Sequence, residues 1–389
     1  MKYELALPSW DEKEIETAKQ ILDSGRTTMG EKVLQFEHEF ALYNGAKYCV
    51  MVNSGSSANL LAVAALFYRK ENPLKRGDEV IVPAVSWPTT YYPLQQYGLK
   101  LKFVDIDLRT LNYNLEQLQS AISKNTRMIV AVNLLGNPND FAKINTMIAG
   151  TGIILLEDNC ESLGAEFNGK KAGTFGIMGT YSSFFSHHIS TMEGGMIVTD
   201  DEELYQILLC TRSHGWTRNL PKNNLISTPK SDNAFDELWR FLLPGYNVRP
   251  IEMMGAVGIE QLKKFPDFLE KRKANARVFI NAFKDNPYFM IQQEISSSSW
   301  FGFSFIIKPE AHKTRKEIVD VLTTHNIEAR PIVAGNFTKN EVMKFFDYEL
   351  YGEMRNADYL DKNGFFVGNH HFDIADKIQY LSDVLSGKA

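Results

Sequence analysis

The run Gly179-Thr180-Tyr181-Ser182-Ser183-Phe184-Phe185-Ser186-His187-His188-Ile189-Ser190-Thr191-Met192-Glu193-Gly194-Gly195 sets small hydroxyl residues and a histidine pair before an acidic Gly-Gly turn. Histidine is the side chain whose ordinary pKa lets it exchange a proton near neutrality. The run therefore offers a general acid or base, although a solvated turn or a structural pair would use the same residues. A second chemical signal lies upstream in Asn53-Ser54-Gly55-Ser56-Ser57-Ala58-Asn59, between the apolar run Tyr48–Val52 and the helical pattern Leu60–Leu66. A strand, a Gly/Ser turn and a helix start together present free N–H groups and the positive end of a dipole to an anion. A plain helix cap reads the same way locally.

The elements that must position these groups follow a βα rhythm. Two helical patterns occupy residues 11–42, the first opened by Asp11-Glu12-Lys13-Glu14 and the second carrying Val33, Phe36, Phe40 and Ala41. Short apolar runs at 79–83, 101–105, 128–132 and 153–156 alternate with more polar stretches such as Leu115–Ile122. Near-continuous Val/Ile/Leu strands fit a mainly parallel sheet buried on both faces by crossover helices. Ligands on such sheets bind beyond the carboxyl ends of the strands. Trp87, Asn133, and Asp158 with Glu161 follow three of these runs. The segment Leu243–Pro250 breaks the composition and precedes an amphipathic helix, Met254–Leu262. A strand at 300–307 and a helix at 315–325 then predict a smaller α+β lobe. The expected division is a large domain, 1–248, and a small C-terminal domain, 249–389.

Composition narrows the function. The 389 residues are 44% hydrophobic and 23% charged, with a net charge of -5 and no basic block that would track nucleic acid. No apolar run is long enough to span a bilayer, and the N-terminus lacks a signal-peptide layout, so a cytoplasmic protein is expected. Three scattered cysteines (Cys49, Cys160, Cys210) argue against a disulfide framework, a zinc site and a four-cysteine iron–sulfur cluster.

A planar coenzyme with a phosphate and a ring nitrogen would employ all the strand-end residues. Gly55, Ser56 and Ser182 suit the phosphate, Trp87 a stacked ring, and a buried Asp158 a protonated ring nitrogen, the pairing that makes pyridoxal phosphate (PLP) an electron sink.

At this point the chain resembles the sugar-modifying DegT/DnrJ/EryC1/StrS aminotransferases, PLP enzymes of fold type I. The motifs that carry the resemblance are Gly30-x-x-Val33-x-x-Phe36-Glu37, Asn53-Ser54-Gly55-Ser56, Glu157-Asp158, Gly169–Gly176, Glu193-Gly194-Gly195, Arg212-Ser213-His214-Gly215, Gly245-Tyr246-Asn247-x-Arg249 and Arg330-Pro331. The resemblance implies an aspartate aminotransferase-like α/β fold with a mixed, mainly parallel sheet flanked by helices. It also implies a homodimer with shared active sites, in which Asn247 reaches the partner's coenzyme phosphate. Glu161 would sit near the coenzyme's phenolic oxygen, where many relatives carry Gln or His.

One departure changes the expected chemistry. The family's coenzyme-binding lysine stands six residues before the acidic residue of the Gly-Gly turn, and here that position is His187. No lysine occurs between Lys171 and Lys222. Imidazole cannot tether PLP, so the coenzyme would cycle through pyridoxamine phosphate (PMP). A proton removed by His187 would drive loss of a hydroxyl rather than amination, and His188 should by register point elsewhere. The histidine-bearing branch of the family implies removal of the C3 hydroxyl of GDP-4-keto-6-deoxymannose. L-glutamate would regenerate PMP, with release of ammonia and 2-oxoglutarate and no iron–sulfur reductase partner. Candidate substrate residues are Thr28, His214, Arg218, Arg249 and Arg330; any of the arginines could bind a carboxylate or diphosphate. The competing readings are a sugar-nucleotide aminotransferase and a catalytically inactive PLP-binding regulator.

Overall fold

The structure is a computed structural model and describes residues 1–388. Its strands, in chain order, are β1 (Tyr48–Val52), β2 (Glu79–Pro83), β3 (Lys100–Val104), β4 (Thr126–Val132) and β5 (Ile154–Asp158). A small hairpin, β6 (Glu166–Phe167) and β7 (Lys170–Lys171), precedes β8 (Met178–Ser182) and β9 (Gly195–Thr199). The C-terminal part adds β10 (Phe289–Ile291), β11 (Gly302–Ile307), β12 (Ala329–Arg330), β13 (Tyr348–Leu350) and β14 (Gly364–Gly368).

The main sheet has the order β1-β9-β8-β5-β4-β2-β3-β13. Only β9 runs antiparallel to its neighbours, pairing Ser182 of β8 with its own Gly195. Strands β4 and β5 are almost wholly buried, which is why they read as unbroken apolar runs. Because β1, β2, β4, β5 and β8 point the same way, the residues that follow them gather at one edge: Ser54, Trp87, Asn133, Cys160 and Ser183. Strand β8 gave little hydrophobic signal. Its Gly179 lies against the backbone of Gly173, where a Cβ would meet the carbonyl oxygen at 2.1 Å.

The helices flank this sheet. Asp11 and Glu14 form a capping box on helix Glu12–Ser24, and Val33, Phe36 and Phe40 of helix Glu31–Asn44 join a buried cluster with Ile259, Leu262 and Phe265. The helix expected over 254–262 runs far longer, from Glu252 to Phe283. Lysines and Pro266 mask its continuation, but Phe265, Leu269, Arg272, Ala276, Phe279 and Phe283 keep the buried stripe at three- and four-residue intervals. Its first residue, Glu252, accepts hydrogen bonds from the Gly30 and Lys32 N–H groups, both at 2.6 Å, capping the start of helix Glu31–Asn44.

The second sheet, ordered β10-β11-β14-β12, is antiparallel and packs against the far half of this long helix. Phe279 stacks on Phe303 at 4.2 Å and Phe305 on Phe365 at 5.1 Å. Two connections tie the sheets together. Strand β13 extends the main sheet beside β3, where the buried Lys102 bridges Glu79 (2.6 Å) and Glu349 (3.0 Å). The N-terminal Tyr3 crosses to the second sheet and donates its hydroxyl to the Gly368 carbonyl at 2.7 Å. Among the described residues, no helix is long and apolar enough to cross a membrane.

Candidate active site

Helix Gly55–Tyr68 starts directly after β1. Ser54 is its N-cap, accepting from the Ser57 N–H at 3.1 Å, while the Gly55 and Ser56 N–H groups have no intrahelical partner. The predicted turn is thus the first turn of the helix itself. Ser182, at the end of β8, faces it closely: a Cβ on Gly55 would lie 2.7 Å from the Ser182 Cβ and 3.0 Å from Cys160 Sγ. A Cβ on Gly195 would lie 2.2 Å from the Ser54 carbonyl oxygen. Both glycines are required for the helix start to approach β8 and β9. The result is an anion cup of N–H groups and hydroxyls at the positive end of a 14-residue helix.

Asp158 ends β5 and is 6% exposed. Its carboxylate accepts from Thr90 Oγ1 (2.7 Å), Asn59 Nδ2 (2.9 Å) and the Cys160 N–H (3.1 Å), and among the described residues no lysine or arginine pairs with it. Three donors fix the orientation of this buried carboxylate, which suits it to meet a cation presented to it. Trp87, 58% exposed, caps helix Pro88–Gln96 and adds an aromatic face. Glu161 accepts from the Leu135 N–H at 3.0 Å, and burial pushes its carboxyl up to about 7.

The histidines diverge. His188 is 2% exposed, and its Nε2 hydrogen-bonds the Ser299 carbonyl at 3.2 Å. His187 is half-buried and lines the cavity, its ring edge-to-face with Phe301 (5.2 Å) and Phe184 (5.9 Å). Its Nδ1 is buried without a partner. Burial, with a smaller effect from the Arg272 charge, lowers His187 to about 4. The ring is therefore neutral at pH 7, ready to accept a proton and poor at keeping one.

These groups surround one cavity of about 600 Å³, lined by Gly55, Ser56, Trp87, Asp158, Glu161, Ser182, His187 and Arg330. No lysine lines it among the described residues. Thr28, His214, Arg218, Asn247 and Arg249 do not line it. The bridges Thr28–Ile251 and Ser213–Asn247 fix the Thr28 and Asn247 segments, and Arg249 Nε donates to Asn247 Oδ1 at 3.0 Å. His214 packs edge-to-face on Trp216, and the Arg218 guanidinium lies 4.4 Å from the same ring. Beside them Trp239 and Phe241 are 66% and 52% exposed, so this face is rich in uncovered aromatic surface.

Sequence reasoning passed over several residues. Asn59 sits one helical turn beyond Gly55, a spacing that could have flagged it as the Asp158 donor. Thr90 likewise follows Trp87 by one turn. Leu5, Val333 and Phe366 also line the cavity, and they come from distant segments with no local signal. The free cup of N–H groups, the glycine-enforced approach of Ser182 and the cation-seeking Asp158 all fit PLP.

Comparison with known proteins agrees with this chemistry. Residues 8–371 match the model of the DegT/DnrJ/EryC1/StrS aminotransferase family. The chain is 60% identical over 386 residues to GDP-4-keto-6-deoxy-D-mannose 3-dehydratase of Escherichia coli O55:H7, covering 99% of this chain and 100% of that protein. The solved structure of the E. coli enzyme with bound hydrated PLP superposes with a TM-score of 0.98 at 60% identity, covering 99% of both chains. A structure of the dehydratase with a trapped PLP–glutamate geminal diamine gives a TM-score of 0.97 at 60% identity, over 99% of this chain and 100% of that one. The chain belongs to the DegT/DnrJ/EryC1/StrS aminotransferase family.

Proposed function

We infer that the chain removes the C3 hydroxyl of GDP-4-keto-6-deoxymannose in a PLP/PMP-dependent reaction, with L-glutamate as the source of the coenzyme's amino group. The observation that carries this reading is His187 in the wall of a cavity that, among the described residues, has the cup, Asp158 and Trp87 but no lysine. When bound, the coenzyme supplies an electron sink that lets a carbon–hydrogen bond be broken next to its ring.

The chain's residues take the following parts. The N–H groups of Gly55 and Ser56 and the hydroxyls of Ser56 and Ser182 hold the phosphate. Trp87 covers one ring face, Asp158 keeps the ring nitrogen protonated, and Glu161 lies toward the phenolic oxygen. His187 takes a proton at the coenzyme's C4′ and delivers it to the departing C3 hydroxyl, which leaves as water. With no ε-amine in the wall to displace the sugar, hydrolysis follows and ammonia is released. Arg330, the cavity's arginine, binds an anionic group of the substrate.

The remaining candidates belong to an assembly of two copies. The exposed face around Trp216, Trp239 and Phe241 meets a second chain, so that Asn247 reaches that chain's phosphate cup. Thr28, His214, Arg218 and Arg249 lie around the same entrance. In this arrangement residues 1–248 form the coenzyme-holding domain, and 249–389 form a smaller one that closes the cavity with Arg330. The test incubates the chain with PLP, glutamate and the keto sugar nucleotide. Ammonia and a sugar nucleotide lacking one oxygen should appear together; an aminated sugar, or no ammonia, refutes the reading.

A further inference from the structure

Arg272 has no part in the chemistry above, yet it is 5% exposed in the long helix Glu252–Phe283 and has no carboxylate partner among the described residues. Breaking or omitting the partner of a buried charge is costly, so an isolated one calls for a reason. Its guanidinium is held by backbone carbonyls alone: Asn369 O at 3.0 Å, Phe301 O at 3.2 Å and Trp300 O at 3.4 Å; Nε has no partner. Two of these carbonyls belong to a constrained segment, since Trp300 adopts φ 50°. That segment carries the Phe301 ring against His187, and Ser299 O against His188. Arg272 also lines a side cavity of about 90 Å³ whose wall shares Leu5, Ser186 and Phe366 with the main cavity.

We propose that Arg272 is a positioning residue for the deoxygenation: its Nη1 gathers the Trp300 and Phe301 carbonyls and so holds the Phe301 ring against His187, and its fixed positive charge beside the histidine pair makes His187 a proton carrier rather than a proton store. This rests on His187 being the base. A cation behind the ring disfavours imidazolium, so the proton taken from C4′ passes on to the C3 oxygen, while the C–H electron pair expels that oxygen as water. Arg272 acts in the same direction on His188, His370 and His371. The other ionisable groups facing the cavity are Asp158, Cys160, Glu161, Glu193 and Arg330, with Lys264 and Lys377 near the distal histidines. None of the cavity acids pairs with Arg272, so its charge is not cancelled.

The test compares Arg272→Met, Arg272→Lys and Phe301→Leu by pH–rate profile and by NMR titration of ring-labelled histidine. His187 is assigned by its loss in His187→Asn, a tractable task with 8 histidines in the chain. Arg272→Met should move the His187 titration and the acidic limb of the rate profile upward by roughly one pH unit. Arg272→Lys should lower turnover while leaving the titration within a few tenths of a unit of wild type. Phe301→Leu should lower kcat with the titration little changed. If Arg272→Met does not fold, the other two variants decide, and wild-type turnover in both overturns the proposal. A His187 titration unmoved in Arg272→Met, or moved equally in Arg272→Lys, also overturns it. A titration that moves while the rate profile stays fixed refutes instead the assignment of His187 as the base.

Discussion

Replacing His187 by Asn separates chemistry from folding, because the structure bounds both effects. A positioned general base contributes about 10²–10⁴ in rate, or roughly 2.7–5.5 kcal/mol at 1.36 kcal/mol per tenfold. Against this, the imidazole makes two edge-to-face contacts, with Phe301 and Phe184, each worth about 0.5–1.5 kcal/mol. Its Nδ1 makes no hydrogen bond that could be lost, and the loop's own bond from the residue-187 N–H to the Phe184 carbonyl at 2.9 Å survives. The variant should therefore fold, bind PMP with near-normal affinity and lose at least a hundredfold in deoxygenation. The assay supplies PMP directly and follows the sugar nucleotide by mass spectrometry in single turnover, so that regeneration by glutamate does not enter. Wild-type kcat/KM should stay level as pH falls through 6.5 and decline only toward about 4, where the buried ring finally protonates. Turnover by the Asn variant within tenfold of wild type would show that another group moves the proton, and an acid limb at 6.5 would show that burial does not depress the His187 ring.

Three further outcomes follow from the same geometry. His187→Lys should create a covalent, borohydride-reducible link to PLP, read as an altered absorbance and a coenzyme mass retained under denaturation; an unlinked coenzyme would place position 187 away from C4′. Gly55→Ala gains up to about 1 kcal/mol of helix propensity, but the 2.7 Å approach to Ser182 outweighs it, and overpacking costs about 1–3 kcal/mol. Coenzyme affinity should fall at least tenfold by fluorescence titration, and unchanged affinity would refute the cup. Burial raises the folded-state value of Glu161 to about 7, so its contribution to stability is full at acid pH and is lost as pH rises from about 4.5 through 7. Glu161→Gln should accordingly raise Tm more at pH 8 than at pH 5, and an equal change at both would show that the carboxyl titrates normally.

The sheet was legible because β1 to β5 are buried on both faces, and their apolar runs leave little choice of structure. The long helix was only half legible, since Lys263, Lys264 and Pro266 interrupt composition without interrupting the buried stripe. Strand β8 was obscured for a different reason: Gly179 is required by close backbone approach and the Thr180 hydroxyl donates to Asn59 Oδ1 at 2.6 Å, so neither reads as hydrophobic. At the site, residues following strands announced themselves by position, as Asp158 and Trp87 did. Leu5, Val333 and Phe366 come from segments joined only by folding, and Arg272 lies beyond the helix expected over 254–262 with no local feature to mark it.

The loop bearing both histidines begins and ends on neighbouring rungs, since Ser182 pairs with Gly195 and the Ser183 N–H donates to the Gly194 carbonyl at 2.9 Å. It is closed at its base like a clasp, and nothing between its ends carries the sheet. A side chain on that loop can therefore change identity while every strand keeps its place.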